Sequence, residues 1–511
     1  MDQLSDCNDS LFSDQYRQLA DPLLAVAESN VPSSPRPGVR ERLVRCLWFD
    51  QSLTSDALRL ESGQRLRVLS PGWWNLEKGP DFLKAAIRIG RNETINGDIE
   101  VHVRLSDWYA HGHDKDPYYD SVVLHVSLWN DCEESFLTNS KGSQVPTLTL
   151  ASFLTSPVDE LAENVDPSEY PQLAETEGGQ CCQKLNETPN GYTWLGRFLG
   201  HAGDQRILAK ADKFRARLNG GTLDQILFEG IAETLGAKQN KSQMLQLARL
   251  APYCDLASVA QLQEDGAIRR VESVLFAMSG MLPTASDMSE ADRHTQSYVS
   301  SLNEEWSNLQ HRFANSAMKQ SQWRFASTRP VNFPTRRIAA LAAVVVSSSH
   351  RGLLQTFIDM LGTESVDRAS TLRRLWTSWL ASLPGSYWTT HCVFGKKPFP
   401  KPTRLVGVQR AGAIIVDVLV PSLLLHARKT DDTYLERTIH RVFCTHPLLP
   451  KTSVTRFMVQ RLFGERGDTS KVITGARRQQ GLYQLFRDCC EKGDLACRRC
   501  LLISAMESSE M

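Results

Sequence analysis

The pattern of hydrophobic and polar positions changes period twice along the chain. It starts helical: in "VRERLVRCLWFD" (39–50) the apolar residues Leu43, Val44, Leu47 and Trp48 recur at helical spacing. It then turns strand-like. "QRLRVLS" (64–70) predicts a strand and "PGWWNLEKGPD" (71–81) a turn-rich loop. "LKAAIRIG" (83–90) and "GDIEVHVRL" (97–105) predict two strands joined hairpin-like through "RNETING". "SDWYAHGHDKDPYYD" (106–120) predicts a loop or irregular helix capped by Ser106 or Asp107, and "SVVLHVSLW" (121–129) a further strand. The predicted order is helix, strand, strand, strand, helix or loop, strand. From about residue 190 the period is helical again, in "WLGRFLGHAGDQRILAKADKFRARL", "LDQILFEGIAETLG" and "MLQLARLAP", with breaks at "STRPVNFPTRR" and "VFGKKPFPKPTR". The pattern predicts an α/β domain over 39–151 and a mostly helical region over 191–488. Residues 1–38, ending in "NVPSSPRPG", read as a flexible leader, and the acidic, proline-containing 152–190 as a linker. No internal repeat is visible.

Composition narrows the class. A hydrophobic fraction of 41% and a charged fraction of 23% are those of a soluble globular protein. No apolar run reads as long enough to cross a bilayer; the nearest, "IAALAAVVV" from Ile338, is too short and predicts a buried helix, so no membrane contact is expected. "MDQLSDCNDSLFSDQ" lacks the basic and apolar regions of an export signal, which predicts a cytoplasmic protein. The 12 cysteines are then expected to be thiols or metal ligands rather than disulfides. The zero net charge hides an asymmetry: residues 321–511 carry 28 Lys+Arg against 14 Asp+Glu, and residues 1–320 carry 30 against 44. A basic C-terminal half permits a surface for DNA or RNA, although domain–domain attraction accounts for the same numbers.

The chemistry gathers in residues 79–126. Pro80-Asp81 precedes one strand, and Glu100-Val101-His102 lies in the next. Alternation puts Glu100 and His102 on one face, and hairpin pairing would bring Asp81 to Glu100. Two converging carboxylates suit Mg²⁺ or Mn²⁺, which would acidify a bound water for phosphodiester hydrolysis. A solvated sheet face reads the same way, with Asp98 as the competing acid. This pattern resembles the PD-(D/E)XK nuclease superfamily, whose core runs helix, strand, strand, strand, helix, strand. The resemblance implies a restriction-endonuclease-like α/β domain, Asp81 and Glu100 as metal ligands, and Glu41 as the helix glutamate of some members. His102 stands where the superfamily has lysine. A mostly neutral imidazole there would orient or activate water, and the alternative is a catalytically inactive nucleic-acid-binding or scaffold protein. His111, His113 and Asp116 form an auxiliary candidate set, since imidazoles suit Zn, Fe or Mn. His125, in an apolar strand, is expected to be a core histidine.

Elsewhere, Cys497-x-x-Cys500 with Cys490 has the spacing of a Zn²⁺ or iron–sulfur site within a cysteine-rich element over 489–503. Arg329, Arg336 and Arg337, beside a proline-broken loop, and Arg477 and Arg478, near Tyr483 and Phe486, are candidate nucleic-acid contacts. The set "GPDF", "GDIEVH", "SDWYAHGH", "YYDSVVLHV", "RPVNFPTRRIA", "ARRQQGLYQLF" and "CRRC" resembles one bacterial family, catalogued as domain of unknown function 2851, from about residue 39 to 503.

Overall fold

In the computed structural model the described residues run from 11 to 509, apart from 13, 19–38, 54–57, 77, 91–93, 133–135, 156, 159–160, 162–164, 166–169, 171–177, 219–220, 238, 264, 285, 314–315, 326–328, 361–367, 384–386, 465–468 and 491–499. They form two units. One is built on a mixed seven-stranded sheet and takes in Lys451–Gly467 and the chain from Phe486 on. The other is largely helical.

In the sheet unit, helix α1 (Glu41–Asp50) buries Leu43, Val44, Cys46, Leu47 and Trp48, the face that the spacing predicts, and ends at Gln51 in the left-handed conformation. The strands are β1 (Leu66–Ser70), β2 (Trp73–Trp74), β3 (Phe82–Ile89), β4 (Ile95–Arg104), β5 (Val122–Trp129), β6 (Phe136–Thr138) and β7 (Gln144–Thr149), in the order β1-β3-β4-β5-β7-β6, with β2 on β3. The pairs β1/β3 and β3/β4 are antiparallel, whereas β4/β5 and β5/β7 are parallel. A parallel pair needs a crossover of about a dozen residues. Between β4 and β5 the chain uses it for a one-turn helix, α2 (Asp107–Ala110), and a short turn at Pro117–Tyr119. β4 and β5 approach closely at Gly97, where a Cβ would lie 2.2 Å from Val123 Cγ1. A bulge in β3 shifts register between Phe82 and Ala85; Lys84 takes φ 55 and its amide donates to Asp98 Oδ1 at 2.9 Å. Thus Asp98, the competing acid, holds the bulge. The core packs Phe82, Ile99, Val101, Leu124 and Val126 against Val44 and Trp48 of α1. The four predicted strands are present; β2, β6 and β7 are additions.

The helical unit has a large apolar core that includes the whole "IAALAAVVV" run. Phe12 and Tyr16, within the expected leader, are buried: Phe12 lies edge-on to His440 and Tyr16 against Phe198. Contrary to the sequence reading, one segment, Val408–Lys429, is long and apolar enough to cross a bilayer; most of it is buried within the unit. Nine described cysteines are free, and Cys444 is disulfide-bonded, against the expectation of thiols.

Candidate functional site

Parallel register sets Glu100 opposite His125 and His102 opposite Ser127, so these polar side chains share the sheet face away from the α1 core. The crossover closes over them. Trp108 of α2 is fully buried and its indole N–H donates to the Thr138 carbonyl at 3.0 Å, anchoring the segment that carries His111 and His113. The Tyr119 ring lies on His113 with centroids 3.7 Å apart.

Three imidazole nitrogens converge here, with a carboxylate oxygen beside two of them. His102 Nε2 is 3.1 Å from His111 Nδ1, 3.3 Å from His113 Nε2 and 3.5 Å from Glu100 Oε1. His113 Nε2 is 3.4 Å from Glu100 Oε1, and the three imidazole nitrogens lie within 4.8 Å of one another. Behind them, His102 Nδ1 is 2.8 Å from His125 Nε2. Glu100 and His102 are buried, while His111 is exposed at the mouth.

Asp81 joins from the start of β3. The Asp81 amide donates to Glu100 Oε2 at 3.0 Å, and Asp81 Oδ2 accepts the Val101 amide at 3.1 Å. Its Oδ1 is 2.8 Å from the Arg45 guanidinium, which also pairs with Glu41 one turn earlier on α1. The two acids therefore come together as the strand order predicts. Both Asp81 oxygens are already engaged, however, and of Glu100 only Oε1 is turned to the imidazoles. Asp116 stands aside: its carboxylate accepts the Tyr118 amide at 3.0 Å and caps the short turn.

Burial governs the charge states. It pushes the Glu100 carboxyl up to about 8 and the Asp81 carboxyl well above the usual range, against the opposing pull of Arg45. It lowers His102, His113 and, to about 3, His125, so these imidazoles are neutral and keep a lone pair for a ligand. Tyr119 is raised to about 12 by burial and the neighbouring carboxylates, so its phenol stays protonated.

Other candidates are placed elsewhere. Arg336 is fully buried and donates to the Trp388, His391, Thr403 and Arg404 carbonyls, the last at 3.0 Å. Arg337 is buried and donates to the Leu405 carbonyl at 2.7 Å. Arg477 is buried on fully buried Asp204, with contacts of 2.8 and 2.6 Å. These three arginines tie helices and loops together and are not free for phosphates, which corrects the sequence expectation. Arg478 donates to the Val472 carbonyl at 2.9 Å, whereas Arg329 is exposed. Among the terminal cysteines, the buried Cys489 thiol is hydrogen-bonded to Cys500. Cys490 is half-buried, and Cys497 lies outside the described residues.

Residues 41–446 match the family described as "Protein of unknown function (DUF2851)". The chain belongs to this family. The match stops short of "ARRQQGLYQLF" and "CRRC", and it spans all of the converging side chains of the site. No curated protein and no solved structure matches the chain. Family membership assigns no reaction to these residues, so their chemistry rests on the geometry. The site residue that sequence reasoning missed is Arg45. Its signal was available: it sits four residues after Glu41, on the same helix face.

Proposed function

We propose that this DUF2851 chain is a metal-assisted phosphodiester hydrolase on a PD-(D/E)XK-like core. One observation carries the reading: the motif residues Asp81, Glu100 and His102 meet in one buried polar cluster, joined by the helix pair Glu41 and Arg45. The sheet supports it, because β1, β3, β4, β5 and β7 follow chain order, with antiparallel pairs first and parallel pairs after.

The division of labour follows from charge and position. A bound divalent ion would supply a more acidic water and counter-charge for the transition state. Glu100 and the neutral imidazoles of His102, His111 and His113 face the ion's place. Arg45, pinned by Glu41 and Asp81 and partly exposed, offers a guanidinium to a non-bridging phosphate oxygen. Tyr119, protonated at neutral pH, is suited to give a proton to the leaving oxygen.

The test is cleavage of single- and double-stranded DNA and of RNA by the purified chain with Mg²⁺, Mn²⁺ or Zn²⁺. Wild type should cleave, and Glu100→Gln should lose about 100-fold or more while staying folded. Undiminished cleavage in Glu100→Gln removes the reading. Nucleic-acid binding without cleavage by wild type would support the inactive scaffold instead.

A further inference from the structure

The converging imidazoles admit a sharper statement about the ion. We propose that the site is built for one borderline transition-metal ion of the Fe²⁺-to-Zn²⁺ class, held by His102 Nε2, His111 Nδ1 and His113 Nε2 with Glu100 Oε1 at its side, and not for Mg²⁺ between Asp81 and Glu100. This deepens the hydrolase reading by naming its cofactor, but it stands whichever bond is broken.

Three observations carry it. The first is spacing. Donors about 2.0–2.1 Å from a tetrahedral ion lie about 3.3–3.4 Å from one another. Four of the separations are 3.1, 3.3, 3.4 and 3.5 Å, and the group that gathers within 4.8 Å is the three imidazoles, with Glu100 Oε1 beside His102 and His113.

The second is proton counting. His102 Nε2 has three polar neighbours at those distances, and an imidazole nitrogen carries either one proton or one lone pair. Hydrogens on His111 Nδ1 and His113 Nε2 can serve His102 Nε2 and Glu100 Oε1, but not every one of these contacts at once, whereas one cation meets the three nitrogen lone pairs together. The ring behind can complete this arrangement. If His102 donates its Nδ1–H to His125 Nε2, the His102 Nε2 lone pair points at the cluster, the usual outer-shell arrangement of a metal-bound histidine.

The third is the donor set. Mg²⁺ would want a shell of oxygens. Here Asp81 gives its oxygens to Arg45 and the Val101 amide, and Glu100 gives Oε2 to the Asp81 amide. One oxygen and three nitrogens remain, a set for the Fe²⁺-to-Zn²⁺ class.

The experiment uses the full chain, stripped with a chelator and titrated with Co²⁺ as the visible probe and with Mg²⁺ as competitor. Wild type should bind one Co²⁺ per chain, with a ligand-field spectrum of nitrogen donors that millimolar Mg²⁺ does not displace. His111→Ala, at an exposed ring that the fold does not need, should weaken Co²⁺ at least tenfold, and His111→Ala with His113→Ala at least 100-fold. Asp81→Asn should keep one Co²⁺ per chain. Ready displacement by Mg²⁺, or binding lost in Asp81→Asn and unchanged in His111→Ala, would overturn the assignment. Co²⁺ bound as stated without cleavage of any nucleic acid sinks the hydrolase reading and leaves the metal site. Mg²⁺-dependent cleavage indifferent to His111→Ala does the reverse.

Discussion

Reassigning Arg477 from nucleic-acid contact to internal strut can be tested through its partner. Asp204 sits fully buried on helix Gly191–Arg217, and Arg477 grips both of its oxygens, at 2.8 and 2.6 Å, with His440 Nε2 at 3.3 Å. Burial alone would raise this carboxyl. The Arg477 guanidinium beside it wins, and the group is held near 2 against an ordinary 3.8. That depression corresponds to about 2.5 kcal/mol between the ionised and protonated forms. Removing one partner of a buried pair costs about 3–5 kcal/mol, because the survivor is left charged and unpaired. Asp204→Asn should therefore lower the helical unit's stability by about 3 kcal/mol at pH 7, read by urea unfolding followed by far-UV circular dichroism. The sign of the pH dependence follows from the depressed value. In wild type the contribution is complete above the unfolded carboxyl range and is lost as pH falls from about 4 to about 2. Asp204→Asn should lack this acid-side loss. A cost below about 1 kcal/mol, or identical acid slopes in the two proteins, would refute the strut.

Two further outcomes are expected. Gly97→Ala should destabilise the sheet unit by about 1–3 kcal/mol, since its Cβ would meet Val123 Cγ1 at 2.2 Å and the Ser121 carbonyl at 2.9 Å; a change within about 0.5 kcal/mol, measured by the same unfolding assay, would mean that β4 and β5 can part there. Arg336→Met should cost more than about 2 kcal/mol, because the Trp388, His391, Thr403 and Arg404 carbonyls lose their donor. Its salt dependence of any oligonucleotide binding should match wild type, and a shallower salt slope without lost stability would return Arg336 to a phosphate contact.

Much of the sheet was legible because alternation and strand order are local properties. Phe82–Ile89, Ile95–Arg104 and Val122–Trp129 announce themselves by period. β2 and β6, two and three residues long, do not, because a window that short holds no period. The pairing of Asp81 with Glu100 could be anticipated from a hairpin, and that of His102 with His111 could not. The latter depends on how a crossover folds back, which Trp108 and the distant Thr138 carbonyl decide. The same limit explains the arginines. Arg336, Arg337 and Arg477 look like phosphate ligands beside prolines and aromatics, yet most of the partners that hold them come from positions 52 to 273 residues away. Nothing near an arginine in sequence tells whether carbonyls or carboxylates will meet it in the interior.

The parallel pairing of β4 with β5 has a consequence for how this chemistry can change. Two parallel strands cannot be joined by a tight turn, so the polypeptide must leave the sheet and return, and His111, His113 and Tyr119 ride on that detour. Deleting the detour would undo the strand pair. Exchanging side chains along it, with Trp108 kept as the anchor, would leave the sheet as it is. The scaffold half of the site, Glu100 and His102, is thus tied to the fold, while the other half is free to vary. Exchanging donors on the detour would therefore change what the proposed site can hold without a new fold.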